Sequence, residues 1–189
     1  MSKPENAIRR VFKSSNGFNP ATRWNTSEGK VMAVRVSSRK KQGYCFAMTC
    51  HWLRLARQHG IEQSSQVLDG RALLHISIVQ SFYLRSAGTV EDEVRENLVY
   101  DQLGLKYTKR FTAKDLVDTK INLQVGYYEV GLPEHSVGLF VDGRAKRVWY
   151  FDPNYGLFEY NALEFIRRHW FNTYGADWST VVYSTMQLK

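Results

Sequence analysis

The spacing of apolar residues along the chain changes near residue 120. Before that point, apolar residues recur mostly every three or four positions, which is the period of an amphipathic helix. The pattern predicts helices over 44–59, over 71–84, from an N-cap at Thr89 to Gly104, and over 113–118 with Thr112 as its cap. The Val-rich stretch over 30–37 predicts a short strand. The first part of the folded chain is therefore expected to be largely helical.

Beyond residue 120, apolar and polar residues alternate, which favours strands. We predict strands over 121–130, 135–141, 147–152 and 180–186, with a helix over 161–174 before the last of them. The segment 142–145, Asp-Gly-Arg-Ala, has the composition of a hairpin turn. Helices followed by an antiparallel meander predict one α+β domain over residues 29–189, and the polar residues 1–28 are interpreted as a loose basic N-terminal arm.

Composition narrows the classes of protein that fit this pattern. The chain has 189 residues, of which 43% are hydrophobic and 14% aromatic, and this excludes an intrinsically disordered protein. No apolar run approaches the roughly 18 residues of a membrane span, and no apolar signal-peptide core follows the N-terminal charges. The two cysteines, Cys45 and Cys50, exclude a disulfide scaffold and lack zinc-site spacing with His51. We expect a soluble protein with no metal and no organic cofactor.

Positive charge is concentrated at the start of the chain. The formal net charge is +8, and residues 1–60 alone hold twelve Lys and Arg against two Glu. A basic face attracts nucleic acid, an anionic membrane or an acidic protein, although it is also compatible with a merely solvated surface. Residues 1–60, the basic segment, hold few aromatic residues for base stacking, so specific nucleic-acid binding is not predicted.

Cys45 has the sequence context of a nucleophile. It follows Gly43 at the start of a predicted helix, where the positive end of the helix dipole favours a thiolate. Free N–H groups at the same helix end are suited to binding an oxyanion. The alternative is that Cys45 is a small core residue, which is the interpretation that we give to Cys50 in mid-helix.

The predicted hairpin brings a histidine beside a carboxylate. A four-residue loop over 142–145 places His135 directly opposite Asp152, with Cβ atoms about 5 Å apart. A carboxylate in that position orients an imidazole and stabilises its cationic form. Taken singly, His135 is compatible with a strand-end histidine and Asp152 with an Asx turn. The remaining four histidines are not predicted to take part in chemistry.

Three segments of the chain resemble a known family. The segments GYCFAMTCHWL, HSVGLFVDG and VWYFDPNYGLFEY resemble, in this order, the YopT/AvrPphB-type papain-like cysteine protease effectors, which bacteria deliver into host cells. The resemblance covers about residues 42–185. It implies a papain-like α+β fold in which an N-terminal helical part carries the nucleophile helix, packed on an antiparallel sheet.

The resemblance also implies the roles of single residues. Cys45 would be the nucleophile, His135 the general base and acid, and Asp152 the residue that orients His135. Papain-like enzymes usually place an Asn or Gln five or six residues before the cysteine, where this chain has Lys and Arg. Gln42 is the nearest amide and is the candidate side chain for the oxyanion hole.

These inferences predict a thiol protease that cleaves a protein of a target cell. The resemblance implies a virulence effector or toxin, secreted without a cleavable signal and acting in the target-cell cytosol. The basic segment favours a substrate that is acidic or lies on an anionic membrane, and a chaperone or immunity protein is a further expected partner. Two alternatives stay open. The same triad serves deamidases, transglutaminases and acyltransferases, and the basic segment alone fits a binding module without catalysis.

Overall fold

Helices and strands separate along the chain as the α+β prediction requires. The structure is a computed structural model and describes residues 9–10, 44–64, 70–112, 125–143, 147–153, 156–160 and 163–189. Its helices are α1 Cys45–His59, α2 Ile61–Ser64, α3 Gly70–Arg85, α4 Asp92–Gln102 and α5 Leu163–Tyr174. Its strands are β1 Arg9–Arg10, β2 Leu105–Thr112, β3 Gly126–Leu132, β4 His135–Asp142, β5 Arg147–Asp152, β6 Gly156–Tyr160 and β7 Val182–Leu188. The predicted fold class is confirmed.

The strands form one antiparallel sheet with helices on both faces. The strand order is β1-β6-β5-β4-β3-β7-β2, and β3, β4 and β5 lie at its centre. Helix α1 packs across β4 on one face, and α5 covers the other face with Trp170. Trp52 of α1 is fully buried and stacks on Phe151 of β5 at 5.1 Å between ring centroids. This packing fixes the start of α1 relative to the ends of β4 and β5.

A glycine in β4 permits the close approach of α1. An added Cβ at Gly138 would lie 2.6 Å from two ring carbons of Trp52, closer than Cβ contacts occur in proteins. Nearby, the Thr49 hydroxyl of α1 donates a hydrogen bond to the carbonyl oxygen of Ser136, at 3.0 Å. The helix is thus held against β4 by packing and by a hydrogen bond.

The register of the central hairpin differs from the prediction. Asp142 pairs with Arg147 and Gly138 with Phe151, so Asp152 is not directly opposite His135. The four residues between the strands start at 143 rather than 142, because β4 runs one residue further than predicted. This moves the register by two residues. Side chains alternate between the two faces, so a two-residue shift leaves His135 and Asp152 on the same face.

Other boundaries also differ from the prediction. Helix α4 begins at Asp92 after an N-cap at Glu91, and the Thr89 hydroxyl instead donates to the Ser86 carbonyl oxygen at 3.0 Å. Strands β2 and β6 were not predicted. The predicted strand over 30–37 and helix over 113–118 lie outside the described residues, as does the proposed arm apart from the two residues of β1. Within the described part of the chain, no helix is long and apolar enough to cross a membrane.

Candidate active site

Cys45 is the first residue of α1 and opens onto a cavity. Its side chain is partly exposed, in contrast to the fully buried Cys50. The cavity has a volume of about 610 Å³ and is also lined by His135. Cys50, with its pKa raised by burial, packs in the core as expected. Of the two cysteines, Cys45 alone is placed to meet a substrate.

The first turn of α1 is capped from a distant helix. Its N-cap residue, Tyr44, makes no capping hydrogen bond with its side chain. Instead, the Ala47 N–H donates to Oε1 of Gln80 in α3, at 2.9 Å, and Gln80 is buried. The Met48 N–H is bonded to the Tyr44 carbonyl oxygen. These two bonds satisfy the N–H groups of Ala47 and Met48, which belong to the start of the helix, where N–H groups ordinarily lack partners.

His135 begins β4 directly after a tight turn. The turn passes through Glu134, whose φ of 54° is in the left-handed region, and returns the chain so that Leu132 pairs with His135. The imidazole is buried, and its Nε2 lies 3.0 Å from Oδ1 of Asp152. Burial disfavours the charged ring, but the hydrogen bond with Asp152 and the proximity of Cys45 outweigh it and raise the pKa of His135 to about 9. The imidazolium is therefore stabilised between the thiol and the carboxylate.

Asp152 is a fully buried carboxylate with several donors. Tyr150 and Tyr174 donate their hydroxyls to Oδ2 at 2.6 and 2.8 Å, and Nε2 of His169 lies 3.8 Å from the same oxygen. Burial alone would raise the pKa of Asp152. The hydrogen bonds from His135 and Tyr150, together with the nearby His169 ring, outweigh burial and hold the pKa of Asp152 well below its usual range. Asp152 is accordingly ionised at neutral pH and accepts the Nε2–H of His135.

Tyr174 supports the histidine as well as the aspartate. Its ring stacks on His135 with centroids 4.6 Å apart and planes inclined at 25°. One side chain at the end of α5 thus limits the movement of both His135 and Asp152. The structure brings Cys45, His135 and Asp152 together, whereas Gln42 lies outside the described residues.

A second buried carboxylate lies in the same cavity. Glu129 of β3 is 4% exposed and accepts hydrogen bonds from Ser136 Oγ at 2.7 Å and from the Tyr100 hydroxyl at 3.4 Å. Burial raises its pKa to about 7. Among the described residues, no cluster of His, Cys, Asp and Glu has the geometry of a metal site.

Sequence reasoning missed most of the side chains around Cys45, His135 and Asp152. Tyr150 precedes Asp152 by two residues on the same strand, so strand periodicity would have placed both on one face. Gln80, Glu129 and Tyr174 reach the site only through tertiary packing, and no local signal marks them. His169, one of the four histidines that were not predicted to take part in chemistry, is buried beside Asp152.

The chain resembles known proteins in structure and not in sequence. No protein-family model matches the chain, and no curated protein sequence matches it significantly. The fold is papain-like and α+β, with the cysteine helix packed on an antiparallel sheet. The crystal structure of the Pseudomonas avirulence protein AvrPphB is similar, with a TM-score of 0.53 and 16% identity, covering 77% of this chain and 92% of that chain.

A toxin domain gives a further structural match. PatoxP, a cysteine protease-like domain of the Photorhabdus asymbiotica toxin PaTox, aligns with a TM-score of 0.43 and 13% identity, covering 79% of this chain and 50% of that one. The similarity to AvrPphB confirms the fold that the sequence resemblance implied.

Proposed function

We propose that the chain is a cysteine endopeptidase with Cys45 as nucleophile, His135 as general base and acid, and Asp152 as the orienting residue. One observation carries the proposal. His135 hydrogen-bonds to the buried Asp152 through Nε2, which leaves Nδ1 as its nitrogen for Cys45. A thiol is activated when a base lies beside it and a carboxylate on the far side of that base orients the base.

Acylation follows from this arrangement. The Cys45 thiolate attacks the carbonyl carbon of the scissile peptide bond, and His135 holds the proton as imidazolium. When the tetrahedral intermediate collapses, the C–N bond breaks and His135 Nδ1–H protonates the leaving amine. The substrate's acyl group then remains on Cys45 as a thioester.

Water completes the cycle by the reverse proton transfers. Neutral His135 takes a proton from water, the hydroxide adds to the thioester carbonyl, and the C–S bond breaks to release the carboxylate product. The negative oxygen of each intermediate needs donors. We assign one of these donors to the backbone N–H of Cys45, because it lies at the start of α1 and the Ala47 and Met48 N–H groups are already bonded.

Mapping of new protein N-termini in a target-cell lysate tests the proposal. Wild-type protein is expected to produce new N-termini that are absent with Cys45→Ala and His135→Ala, while the buried Cys50→Ala control retains them. Cleavage that persists undiminished in Cys45→Ala would refute the assignment. Deamidated or cross-linked proteins of unchanged length, again dependent on Cys45, would instead assign the same triad to a deamidase or transferase.

We further infer that the substrate is a protein of a target cell and that the chain is a secreted effector or toxin. The support is the likeness of its fold to that of an avirulence protein. The basic charge of residues 1–60 supports an approach to an acidic protein or an anionic membrane. Such attraction weakens with salt, so cleavage should slow as ionic strength rises, and an unchanged rate would contradict it.

A further inference from the structure

The cavity beside Cys45 carries an excess of negative charge. Three carboxylates line it, from Glu96, Glu129 and Glu134. Two cations also line it, the guanidinium of Arg110 and the imidazolium of His135, and His135 is paired with Asp152. Arg110 is committed to Glu96, to which it donates two hydrogen bonds at 2.6 and 3.3 Å. Within the described part of the chain, neither Glu129 nor Glu134 forms a salt bridge. The cavity therefore has two acidic groups without a cation of their own.

Glu129 is the better placed of these two groups. It lies on the wall of the cavity and is almost fully buried, whereas Glu134 is exposed at the turn before His135. Ser136, the residue after His135, fixes one oxygen of the Glu129 carboxylate, and Tyr100 fixes the other. A buried carboxylate that only neutral donors contact is costly. A cationic ligand in the cavity would remove that cost.

The rest of the wall suits a long aliphatic stem. Phe46 and Tyr83 form an aromatic pair with ring centroids 4.5 Å apart, and Leu84 and Leu132 also line the cavity. Lys and Arg bury their methylene groups along apolar surface while the charged head meets polar groups. A volume of about 610 Å³ is ample for one such side chain.

We propose that this cavity binds a Lys or Arg side chain of the substrate near the scissile bond, with Glu129 as the specificity-determining residue. The inference rests on the proposed function, since it names the substrate side chain for the same site. It is compatible with an acidic or membrane-bound substrate, because the basic segment acts on the whole partner whereas Glu129 contacts one residue. Lys and Arg are two forms of one ligand chemistry, which the experiment separates.

A library of peptides from a digested proteome measures the preference directly. Wild-type protein is expected to cut next to a fixed position enriched in Lys or Arg, and the library shows which of the two is favoured. Glu129→Gln keeps the shape of the side chain but removes its charge, so the enrichment should fall about tenfold. Glu129→Asp should retain it in part. Glu93→Gln, at an exposed site in the first turn of α4, is the matched control and should leave it unchanged.

A second readout does not depend on proteolysis. At pH 8, Cys45 is modified with a cationic and an anionic methanethiosulfonate of similar size, and the ratio of the two rates is compared. The ratio should favour the cation in wild type and fall about tenfold in Glu129→Gln but not in Glu93→Gln. A general change in the reactivity of the Cys45 thiol alters both rates by the same factor, so it does not alter their ratio.

The two readouts separate failure of the inference from failure of the proposed function. Cleavage without basic enrichment, or enrichment that Glu129→Gln retains, would overturn the inference while leaving the protease assignment intact. If wild type cleaves no peptide, the proposed function fails and the reagent ratio decides alone. A ratio that is equal in wild type and Glu129→Gln would then overturn the acidic pocket as well.

Discussion

Removal of one hydroxyl tests how the buried aspartate is held. In Tyr174→Phe the ring remains to stack on His135, but the 2.8 Å hydrogen bond to Oδ2 of Asp152 is lost. A hydrogen bond to a charged group contributes about 1.5–3 kcal/mol to stability. The Tyr150 hydroxyl still donates to the same oxygen, so we expect a loss near the lower end of that range.

The chain contains a matched control for this substitution. Tyr160 is also a buried tyrosine, and among the described residues its hydroxyl has no hydrogen-bond partner. Tyr160→Phe removes the same atom without breaking a bond, so its effect on the free energy of unfolding should be within about 0.5 kcal/mol of zero or slightly stabilising. The difference between the two variants isolates the bond to Asp152.

Urea unfolding at pH 7, followed by tryptophan fluorescence, measures both variants. With a slope of about 2 kcal/mol per molar urea, a loss of about 1.5–2 kcal/mol lowers the midpoint of Tyr174→Phe by nearly 1 M. The hydrogen bonds depress the folded-state pKa of Asp152, so this stabilisation is present above the unfolded-state pKa near 3.9 and is lost in stronger acid. If Tyr174→Phe costs no more than Tyr160→Phe at pH 7, the hydroxyl does not hold the carboxylate and the reasoning is refuted.

Three further substitutions test the packing and charge around the site. Gly138→Ala places a Cβ 2.6 Å from the Trp52 ring and should cost about 1–3 kcal/mol in urea unfolding. Gln80→Leu removes the acceptor for the Ala47 N–H and should cost about 1 kcal/mol, measured in the same way. For His135, the folded-state pKa of about 9 lies above the unfolded value, so its charged form stabilises the protein at pH 7 and this contribution disappears as the pH rises through 9. The stability difference between wild type and His135→Gln should therefore shrink between pH 7 and pH 10.

Gly131 and Gln58 are matched control positions for Gly138 and Gln80. Gly131→Ala adds a Cβ whose nearest contact is 3.9 Å away, and it should be tolerated. Equal costs for the two alanines would contradict the close packing of α1. Gln58→Leu lies on the exposed side of α1 and should change stability little. A stability difference for His135→Gln that is constant from pH 7 to pH 10 would show that His135 is not held as a cation.

Local sequence signals predicted well the helix that carries Cys45. The turn glycine Gly60, with φ of 86°, ends α1 where the pattern predicted, and Cys45 begins it. The association of His135 with Asp152 was anticipated from a hairpin alone, although the register was wrong by two residues. The two side chains nevertheless lie on the same face of the sheet, because strand side chains alternate with a period of two and the register differs by two residues.

Other features were out of reach of local patterns. Strand β2 is rich in Lys, Arg and Thr, and its register shifts between Tyr107 and Lys109, which breaks the alternation that identifies a strand. Strand β6 begins at Gly156, the last residue of the Asp-Pro-Asn-Tyr-Gly segment, and the turn signal of that segment obscured the strand. The Gln80 cap and the buried Glu129 depend on segments far apart in the sequence, so only the assembled sheet and helices bring them to Cys45.

The pH dependence of Cys45 alkylation tests the central claim most directly. Peptide mapping separates Cys45 from the buried Cys50, and wild type is compared with His135→Ala. If His135 and Cys45 form a thiolate–imidazolium pair, Cys45 of wild type reacts rapidly well below pH 8.5, the value of a free thiol, and His135→Ala abolishes that advantage. A Cys45 that reacts only as its thiol ionises near pH 8.5, with or without His135, would contradict the account.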